Sequence, residues 1–440
     1  MKERAVPRPA EWLSWGRVVR AEHKLVAPRH RDEAAAAFDA ARRAGGGVLA
    51  VGLGRSYGDS GLNQGGALID MRGLDRLIAF DREAGVLRAE AGASLADIIA
   101  FAAPRGFFPS TTPGTRFVTL GGAIANDVHG KNHHRAGTFG ASVRRLCLLR
   151  AEGETEIGPD SPLFRATIGG LGLTGVILWA EIALARIAST VLDQETIAFA
   201  SLDEFFNLAA ESEAGFEHTV AWIDCLAAVG RGVFSRGNWA ETGPRAAAAP
   251  RPRAAIPFDA PSVLLNRASL AAFNALYYRL GRMRAGASRI RYDRFFYPLD
   301  AIGGWNRLYG ARGFYQYQSV VPPAAARAAT RDMLAAIAAA GEGSFLAVLK
   351  TFGDRPSPGM LSFPMAGATL ALDFANRGER TMRLLARLDE IVAAAGGRLY
   401  PAKDGRLPRA MFEQGYPQAE EFSRYVDPAM SSGFWRRMTG

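Results

Sequence analysis

Alternating helix and strand patterns fill the first third of the chain. Residues 31–45 (RDEAAAAFDAARRAG) place apolar positions at helical spacing and end in glycine, which predicts a helix. The apolar run GVLAVG follows, and GALIDM, LIAFD and VLRAEAG predict three further strands. A second helix is predicted over LADIIAFAAPRG. We therefore expect an α+β domain, dense in glycine turns, over residues 1–187.

The last third of the chain follows a more regular order. FYQYQSVV predicts a strand, residues 324–341 a helix, SFLAVLKTFG and ATLALDFAN two strands, residues 380–396 a second helix, and RLYPAKD a last strand. This βαββαβ order is typical of the split-βαβ arrangement, an antiparallel sheet with two helices on one face. The other face of such a sheet is free to cover a ligand. We assign residues 188–397 to this second domain.

Two segments of unusual composition lie between these regions. Residues 241–261 are rich in Ala, Arg and Pro and predict a linker or mobile loop. Residues 262–291 are basic and amphipathic, with apolar side chains interleaved with arginines. This second stretch is either a core helix with a solvated face or a docking surface for an anionic membrane.

Composition limits the class of protein. With 440 residues, 48% of them hydrophobic and 22% charged, the chain is expected to be globular with two domains. Its start lacks the apolar core of a signal peptide, and no run of about 18 apolar residues predicts a membrane span. Cys147 and Cys225 lie far apart outside any CxxC pattern, which fits a reducing compartment. We expect a cytoplasmic protein, with peripheral contact at the inner membrane as an option.

The formal net charge of +10 comes mostly from arginine. It is compatible with simple solubility or with attraction to anionic ligands such as phosphates and lipid headgroups. No recognition motif for nucleic acid accompanies the charge, so we expect no nucleic-acid partner.

Three glycine-rich segments in the first domain suggest a long ligand. They are VGLGRSYGDSGLN at residues 51–63, PGTRFVTLGGAIANDVHGKNHH at 113–134, and IGGLGLTGVI at 168–177. The first contains two glycines after a strand, but its continuation is too polar and glycine-rich to open the helix that a Rossmann turn requires. We predict an extended loop whose free backbone N–H groups wrap an anion, with a plain surface loop as the alternative. Together the three loops favour a dinucleotide.

His129, His133 and His134 could suggest a metal site. Gly130 disfavours the helix that would align the first two histidines, and zinc would need a further defined ligand. We therefore expect no metal here. The cationic HGKNHH segment is better suited to stabilise negative charge on a bound ligand, or to shape a polar loop at the domain interface.

Together these motifs resemble the vanillyl-alcohol oxidase/PCMH superfamily of FAD enzymes, with its aldonolactone-oxidase-like C-terminal domain. The likeness covers nearly the whole chain and includes GLGRSYGD, HGKNHH, WNRLYG, YQYQ, LSFP and LYPAKD. HGKNHH followed much later by AKD is specific to the subgroup that oxidises polyprenylphosphoryl ribose. The resemblance implies a PCMH-type FAD-binding domain, a substrate or cap domain, and a C-terminal segment, residues 398–440, that returns to the FAD domain.

The resemblance also implies how FAD is held. Several relatives tether FAD through a histidine in a G-x-G-H-S loop, and that position holds an arginine here, which implies non-covalent FAD. The residues expected to line the FAD are Gly52, Leu53, Gly54, Arg55, Ser56, Tyr57, Gly58, Asp59, Gly114, Thr119, Leu120, Gly121, Gly122, Asn126, Asp127, Val128, His129, Val176, Ile177 and Tyr400.

Oxidation of a secondary alcohol requires a hydride acceptor and a base for the hydroxyl proton. Lys403 is the first candidate for the active-site cation, and for the base if burial and neighbouring cations lower its pKa. His129, Lys131 and Tyr57 are the other catalytic candidates. Each of these residues taken alone could instead be an ordinary surface or structural group.

The family likeness places a second set of residues where the substrate would bind. In mycobacterial members a cysteine aligns with Ala371 and an asparagine with Thr369, so this pocket lacks a thiol and the identity of the substrate stays open. The residues expected to contact substrate are Gln316, Gln318, Lys350, Thr369 and Ala371.

Three functions remain in view. The first is oxidation of C2' of a polyprenylphosphoryl-β-D-ribose to the keto sugar, with a separate NADH-dependent short-chain reductase as the partner that completes an epimerisation to arabinose. The second is an aldonolactone or alditol oxidase acting on a soluble sugar. The third is a non-catalytic flavoprotein or membrane scaffold, which would have no reason to keep the lysine, histidine and glutamine groups.

Overall fold

The computed structural model describes residues 7–227, 229–245, 254–261 and 264–440, which form two lobes. The strands of the N-terminal lobe are β1 (Arg8–Leu13), β2 (Arg20–Val26), β3 (Val48–Val51), β4 (Ala67–Asp70), β5 (Leu77–Asp81), β6 (Val86–Glu90), β7 (Phe107–Pro109), β8 (Val143–Arg150), β9 (Gly153–Ile157) and β10 (Val176–Arg186). Its helices are α1 (Ala34–Arg43), α2 (Leu95–Ala102), α3 (Leu120–Ala125), α4 (His133–Ala136) and α5 (Pro162–Thr167).

Two sheets build the N-terminal lobe. Strands β1, β2, β4 and β3 lie side by side in that order, with β3 and β2 both parallel to β4. Strands β5, β6, β10, β8 and β9 form an antiparallel sheet, and β7 also pairs with β10. The predicted α+β fold is confirmed. After β3 the chain runs through residues 52–66 without forming a helix, so the rejection of a Rossmann turn is also confirmed.

The second lobe is built on one large sheet. Its strands are β11 (Val191–Phe199), β12 (His218–Ile223), β13 (Gly232–Trp239), β14 (Ala254–Ala255), β15 (Gly286–Arg291), β16 (Ile302–Gly303), β17 (Phe314–Val321), β18 (Ala347–Phe352), β19 (Gly367–Ala375) and β20 (Arg398–Leu399). Its helices are α6 (Leu202–Gly215), α7 (Arg267–Met283), α8 (Tyr292–Phe296), α9 (Pro323–Ala340) and α10 (Glu379–Ala394), and the C-terminal tail adds α11 (Arg409–Gly415), α12 (Ala419–Ser423) and α13 (Gly433–Thr439).

The large sheet contains two copies of one arrangement. Its strand order is β15-β11-β13-β12-β18-β19-β17-β20. The βαββαβ order predicted from β17 to β20 is confirmed, and it forms what we call the second half of the sheet, with α9 and α10. The first half consists of β11, β12, β13 and β15 with α6 and α7. It has the same βαββαβ order along the chain, and its strands lie in the sheet as the mirror image of those of the second half. The two halves join where β12 pairs with β18. This first half was not predicted from the sequence.

Aromatic side chains join the two lobes. Helix α8 carries Phe295 and Phe296 into the core of the N-terminal lobe, beside Tyr292 at its first position. The ring of Phe108, on β7, lies 5.3 Å from that of Tyr292 and 5.7 Å from that of Phe296. Burial of such large rings stabilises the lobe interface because each removes a large apolar area from water.

The C-terminal tail crosses back to the N-terminal lobe. Strand β20 itself pairs with β17 in the large sheet, so the return begins after it. Met430 bridges to Val48 of β3, and Arg437 forms an ion pair with Asp59 at 2.9 Å. These contacts hold the predicted nucleotide loops against the end of the chain.

The segments between the halves are described only in part. Of the predicted linker, residues 241–245 and 254–261 are described, and residues 246–253 lie outside the described residues, as do the first two positions of the basic stretch, 262 and 263. The remainder of that stretch forms α7 and β15. Among the helices described, none is both long and apolar enough to cross a bilayer.

Candidate active site

A cavity of about 1060 Å³ lies between the glycine loops of the N-terminal lobe and the open face of the large sheet. Sites for drug-sized ligands usually occupy about 300–1000 Å³. This cavity is therefore large enough for an extended ligand with a second molecule at its end. Its walls come from both lobes, as expected if one lobe binds a cofactor and the other covers it.

Glycines pack the loops at one end of this cavity. A Cβ at Gly52 would lie 2.2 Å from Thr119 Oγ1, and one at Gly58 would lie 2.4 Å from the backbone nitrogen of Gly405. Thr119 in turn caps helix α3, because its hydroxyl accepts a hydrogen bond from the Gly122 N–H. Side chains at these glycines would push the segments apart, so the loops can meet only as glycine.

Most residues expected to line FAD do line the cavity, together with all of the catalytic and substrate candidates. Asp59, Leu120, Asp127 and Val176 lie behind its wall instead. Leu120 and Val176 are fully buried in the core, and Asp59 pairs with the C-terminal helix. These four residues support the loops from behind.

Asp127 fixes the position of the HGKNHH loop. Its carboxylate accepts hydrogen bonds from the Gly140 N–H at 2.8 Å and from the Ser362 hydroxyl. Burial raises its pKa to about 6, and the hydrogen bond from Ser362 opposes that rise. Asp127 therefore joins the N-terminal lobe to the loop that follows β18, and it does not line the cavity.

Arg55 lies in the first glycine loop and lines the cavity. Its guanidinium lies 3.8 Å from the centre of the Trp15 ring, and its Nε donates to the Phe117 carbonyl at 3.1 Å. Burial lowers its pKa, while Asp300 acts against that change. A guanidinium held in this way can contact an anion from the cavity wall.

Lysine is concentrated in this cavity. Only five of the 53 basic residues are lysines, and Lys131, Lys350 and Lys403 all line the cavity. An arginine stays charged at any ordinary pH, whereas a buried lysine can lose its proton. The chain therefore places its rare titratable cations where a reaction would need them.

Lys403 lies in a turn just after β20. Its ammonium nitrogen is 4.2 Å from the centre of the Tyr57 ring, and the Tyr57 N–H donates to the carbonyl of the neighbouring Ala402 at 3.0 Å. Burial lowers the pKa of Lys403 to about 8, although the nearby Asp373 carboxylate raises it. Near neutral pH a fraction of this lysine is neutral and able to accept a proton.

Tyr57 beside it stays protonated. Burial raises its pKa well above 10, and the Asp373 carboxylate adds to the rise. The phenol is therefore a hydrogen-bond donor and not a base at ordinary pH.

His129 and Lys350 form a second polar group in the cavity. Lys350 Nζ lies 3.3 Å from His129 Nδ1 and 3.1 Å from the Gly130 carbonyl oxygen. The carboxamide of Gln318 lies 3.0 Å from His129 Nε2 and 3.3 Å from Thr369 Oγ1. Burial, and then Lys350, lower the pKa of His129 well below its ordinary value, so the imidazole is neutral. Burial and the other two lysines lower the pKa of Lys350 to about 7.

Lys131 contacts the aromatic lobe interface. Its ammonium donates to the Phe295 carbonyl and lies 4.5 Å from the centre of that ring. Burial lowers its pKa to about 7. The remaining histidines of this loop serve its structure: His133 is buried against the Phe352 ring, and His134 Nε2 lies 2.9 Å from the Phe216 carbonyl oxygen.

The substrate candidates follow from the two-residue period of the strands. Gln316 and Gln318 alternate along β17, and Thr369 and Ala371 along β19, so all four point to the cavity face of the sheet. The intervening residues point to the helices on the other face. The predicted open face of the sheet is thus the floor of the cavity.

Sequence reasoning missed two parts of the site. Asp373 is fully buried at the next cavity-facing position of β19, accepts a hydrogen bond from Gln316 Nε2 at 2.7 Å, and has a pKa that burial raises to about 7. Its alternation with Thr369 and Ala371 could have identified it. The other missed part is the whole first half of the sheet, which extends the cavity floor with side chains such as Gln194, Thr196, Trp222, Ser235 and Ser288.

The cavity is lined by six cations, Arg55, Lys131, Arg284, Arg294, Lys350 and Lys403, and by one carboxylate, that of Asp300, while Asp373 lies behind the lining. Such an excess of positive charge is costly to bury, as the lowered pKa values of the lysines reflect. A bound anion would reduce that cost. The cavity therefore fits a phosphate-bearing nucleotide, which the glycine loops would hold.

Comparison with known proteins agrees with this geometry. A family described as an FAD binding domain matches residues 23–157. Decaprenylphosphoryl-beta-D-ribose oxidase from Mycolicibacterium smegmatis is 37% identical over 94% of this chain and 94% of its own length. An uncharacterised protein from Streptomyces coelicolor is 33% identical over 74% of this chain and 94% of its own. L-gulono-1,4-lactone dehydrogenase from Mycobacterium tuberculosis is 29% identical over 39% of this chain and 41% of its own.

Proposed function

The chain belongs to the family of FAD-dependent oxidoreductases that includes decaprenylphosphoryl-beta-D-ribose oxidase, and from that premise we propose that it oxidises C2' of a polyprenylphosphoryl-β-D-ribose to the 2'-keto sugar. The observation that carries the proposal is the continuous cavity between the two lobes. It joins the glycine loops to three buried lysines and continues along the first half of the sheet, which leaves room for a substrate longer than a simple sugar.

Two further observations favour this substrate over a soluble lactone. The likeness to the ribose oxidase extends through both lobes, whereas the likeness to the gulonolactone dehydrogenase covers 39% of the chain. In addition, Arg55 stands where lactone and alditol oxidases more often carry a tethering histidine. FAD in this chain is accordingly held without a bond at that position.

Oxidation of the carbinol to a ketone removes two electrons, one carbon-bound hydrogen and one hydroxyl proton. Bound FAD supplies the acceptor for the electrons and the carbon-bound hydrogen. Neutral Lys403 accepts the hydroxyl proton, since its pKa of about 8 leaves part of it unprotonated near neutral pH. Tyr57 donates a hydrogen bond to the sugar oxygen, and Gln318 orients a neighbouring hydroxyl.

Lys131 and Lys350 stabilise negative charge. Both ammonium groups lie in the cavity, and neither has a carboxylate partner among the described ion pairs. They are therefore available to a substrate phosphate or to the reduced cofactor. In this scheme a separate NADH-dependent short-chain reductase converts the keto sugar to the arabinose epimer, so the chain performs the first half of an epimerisation.

Anaerobic reduction of the flavin tests the proposal. The purified holoprotein is mixed without air with a short-chain polyprenylphosphoryl ribose, and loss of the visible flavin absorption is followed. We expect the lipid-linked ribose to bleach the flavin rapidly. Reduction of the product with borodeuteride, followed by mass analysis, should place the deuterium at C2'.

Two parallel reactions make the result decisive. Gulono-1,4-lactone, the lactone to which one relative's name refers, should leave the absorption unchanged. The arabinose epimer of the same lipid should bleach the flavin far more slowly, because its C2' hydrogen lies on the opposite face. Bleaching by the lactone alone would instead identify a soluble-sugar oxidase, and no bleaching by any sugar would favour a flavoprotein without this activity.

A further inference from the structure

Helix α7 packs on the large sheet in an unusual way. Only Leu270 and Asn274 are buried among its described residues. The Asn274 carboxamide donates to Asp224 Oδ1 at 2.9 Å, and a Cβ at Gly281 would lie 2.3 Å from a methyl group of Val233. The helix is thus attached to the sheet by a narrow stripe that contains an amide and a glycine.

Beside that attachment, a stripe of apolar side chains on α7 stays partly exposed, although the Tyr277 ring lies 4.6 Å from that of Trp222 and the Phe273 ring lies 5.8 Å from that of Phe345. Phe273, Leu276 and Tyr277 recur at the spacing that places side chains on one face of a helix, and they are 43%, 56% and 44% exposed. Met283, two turns after Leu276, is 81% exposed. A helix that served only the core would bury these residues and expose its asparagine. Exposed apolar stripes of this kind usually mark a contact surface.

The charge on α7 is entirely positive. Its residues include Arg267, Arg279 and Arg282 and no Asp or Glu. The ion pairs found among the described residues include none of these three arginines. Helix α10 on the second half differs, since its Arg383 and Arg387 pair with glutamates of the same helix. Helix α7 therefore presents apolar and unneutralised basic groups together.

This surface borders the opening of the cavity. Tyr277, Leu280 and Gly281 of α7 line the cavity while Tyr277 is also exposed. Ile302 of β16 lines it as well and is 37% exposed. A binding partner with a flat surface that covers α7 would therefore also cover the entrance of the cavity.

We propose that the exposed face of α7, with Phe273, Leu276, Tyr277, Arg279, Arg282 and Met283, docks on the surface of an anionic lipid bilayer. Aromatic and aliphatic side chains enter the boundary between headgroups and acyl chains, and the arginines contact lipid phosphates. The absence of acidic residues on the helix suits an anionic bilayer better than a protein surface of mixed charge. The proposal does not depend on which sugar the enzyme oxidises, because it concerns only the lipid surface.

Vesicle co-sedimentation tests this docking with the intact holoprotein. The protein is mixed with vesicles of phosphatidylcholine alone and with vesicles of equal parts phosphatidylcholine and phosphatidylglycerol, neither of which contains substrate. We expect binding to the anionic vesicles and little to the neutral ones. Binding should weaken at about 1 M salt, where the screening length falls to about 3 Å.

Paired variants locate the contact. Phe273→Ser with Leu276→Ser should reduce binding by removing the inserted side chains. Arg279→Gln with Arg282→Gln should weaken it by roughly fivefold for each arginine. The matched control is Arg383→Gln with Arg387→Gln on α10, which removes the same charge from an exposed helix and should bind as the unaltered protein does. Flavin content, measured for every variant, shows that each is folded.

Several results would overturn the proposal. Equal binding to neutral and anionic vesicles, or no binding to either, would remove the anionic bilayer as the partner. Equal loss in the α10 control would mean that net charge alone drives binding. If the Phe273 and Leu276 variant instead dissociates a dimer in sedimentation velocity, the α7 surface contacts a second copy of the chain.

Discussion

The second half of the large sheet lines the cavity with Gln316, Gln318 and Lys350, whereas the first half lines it with groups such as Thr196, Ser235 and Trp222. None of the lining residues on the first half's strands is titratable. The second half also carries the buried Asp373 and leads directly into the turn that holds Lys403. The titratable groups on this sheet that lie in or next to the cavity are therefore concentrated on one of two copies of the same backbone.

The helices that pack behind the two halves differ in how deeply they are buried. Helix α10 buries Leu384, Leu385 and Leu388 with other residues against the sheet, while α7 buries only Leu270 and Asn274 among the positions described. A rigid support keeps side chains in place for catalysis, and an open support leaves a surface for partners. The repeated fold thus widens the sheet, while the two copies differ in packing: the half with the titratable groups has the more deeply buried helix.

Removal of Lys403 should have the largest effect. We expect Lys403→Met to lower kcat by about 10²- to 10⁴-fold, because the hydroxyl proton loses its acceptor. Steady-state oxidation of the lipid-linked ribose, with flavin content measured in parallel, provides the check. Lys24→Met, which changes an exposed lysine on β2, should leave kcat unchanged. A normal kcat in the Lys403 variant would move the base elsewhere.

Leucines on the two outer helices test the difference in packing. Leu388→Ala on α10 should reduce the free energy of unfolding by about 2–5 kcal/mol, because it leaves a cavity in a fully buried site. Leu276→Ala on α7 should reduce it by less than about 0.5 kcal/mol, since that side chain is 56% exposed. Urea unfolding of both flavin-loaded variants compares the two values. Equal losses would show that α7 is held as firmly as α10.

Asp373 should set the pH dependence of the reaction. Its carboxylate raises the pKa of Lys403, so Asp373→Asn should lower that pKa and increase the neutral fraction of the lysine at pH 7. In a plot of kcat against pH, kcat rises as Lys403 loses its proton. This rising limb should then move to lower pH by roughly one unit.

The matched control lies on the first half. Asp224→Asn changes a buried aspartate that pairs with Arg231 at 2.9 Å, outside the cavity lining. It should cost stability and leave the rising limb in place. If both variants shift the limb alike, or neither does, Asp373 does not tune the lysine.

Part of the fold could be predicted because its signals are local. The order from β17 to β20 was predicted correctly, since each strand and helix there has a clear apolar period and a short connection. The first half was missed although its strand order is the same. Residues 240–266 separate β13 from α7, and the apolar stripe of α7 is interleaved with arginines and only partly buried, so the repeat is hard to recognise from the sequence.

The candidate site, like the fold, could be predicted only in part. Glycine loops and the HGKNHH and AKD motifs pointed to Gly52, His129 and Lys403 because such local sequences have few other uses. Asp127 was assigned to the cofactor from its place in a motif, yet its carboxylate points away from the cavity to Gly140 and Ser362. A motif gives the position of a backbone and does not give the direction of every side chain.

The sequence by itself determined the types of element, the absence of a Rossmann turn and the loops that can approach a nucleotide, because these depend on residue period and on the conformational freedom of glycine. That Lys131, Lys350 and Lys403 share one cavity, and that α7 leaves much of its apolar stripe exposed, could be learned only from the folded chain. Burial and distance arise from contacts between residues far apart in the chain. The lowered pKa of Lys403 is such a property, since it requires the turn after β20 to be buried against Tyr57.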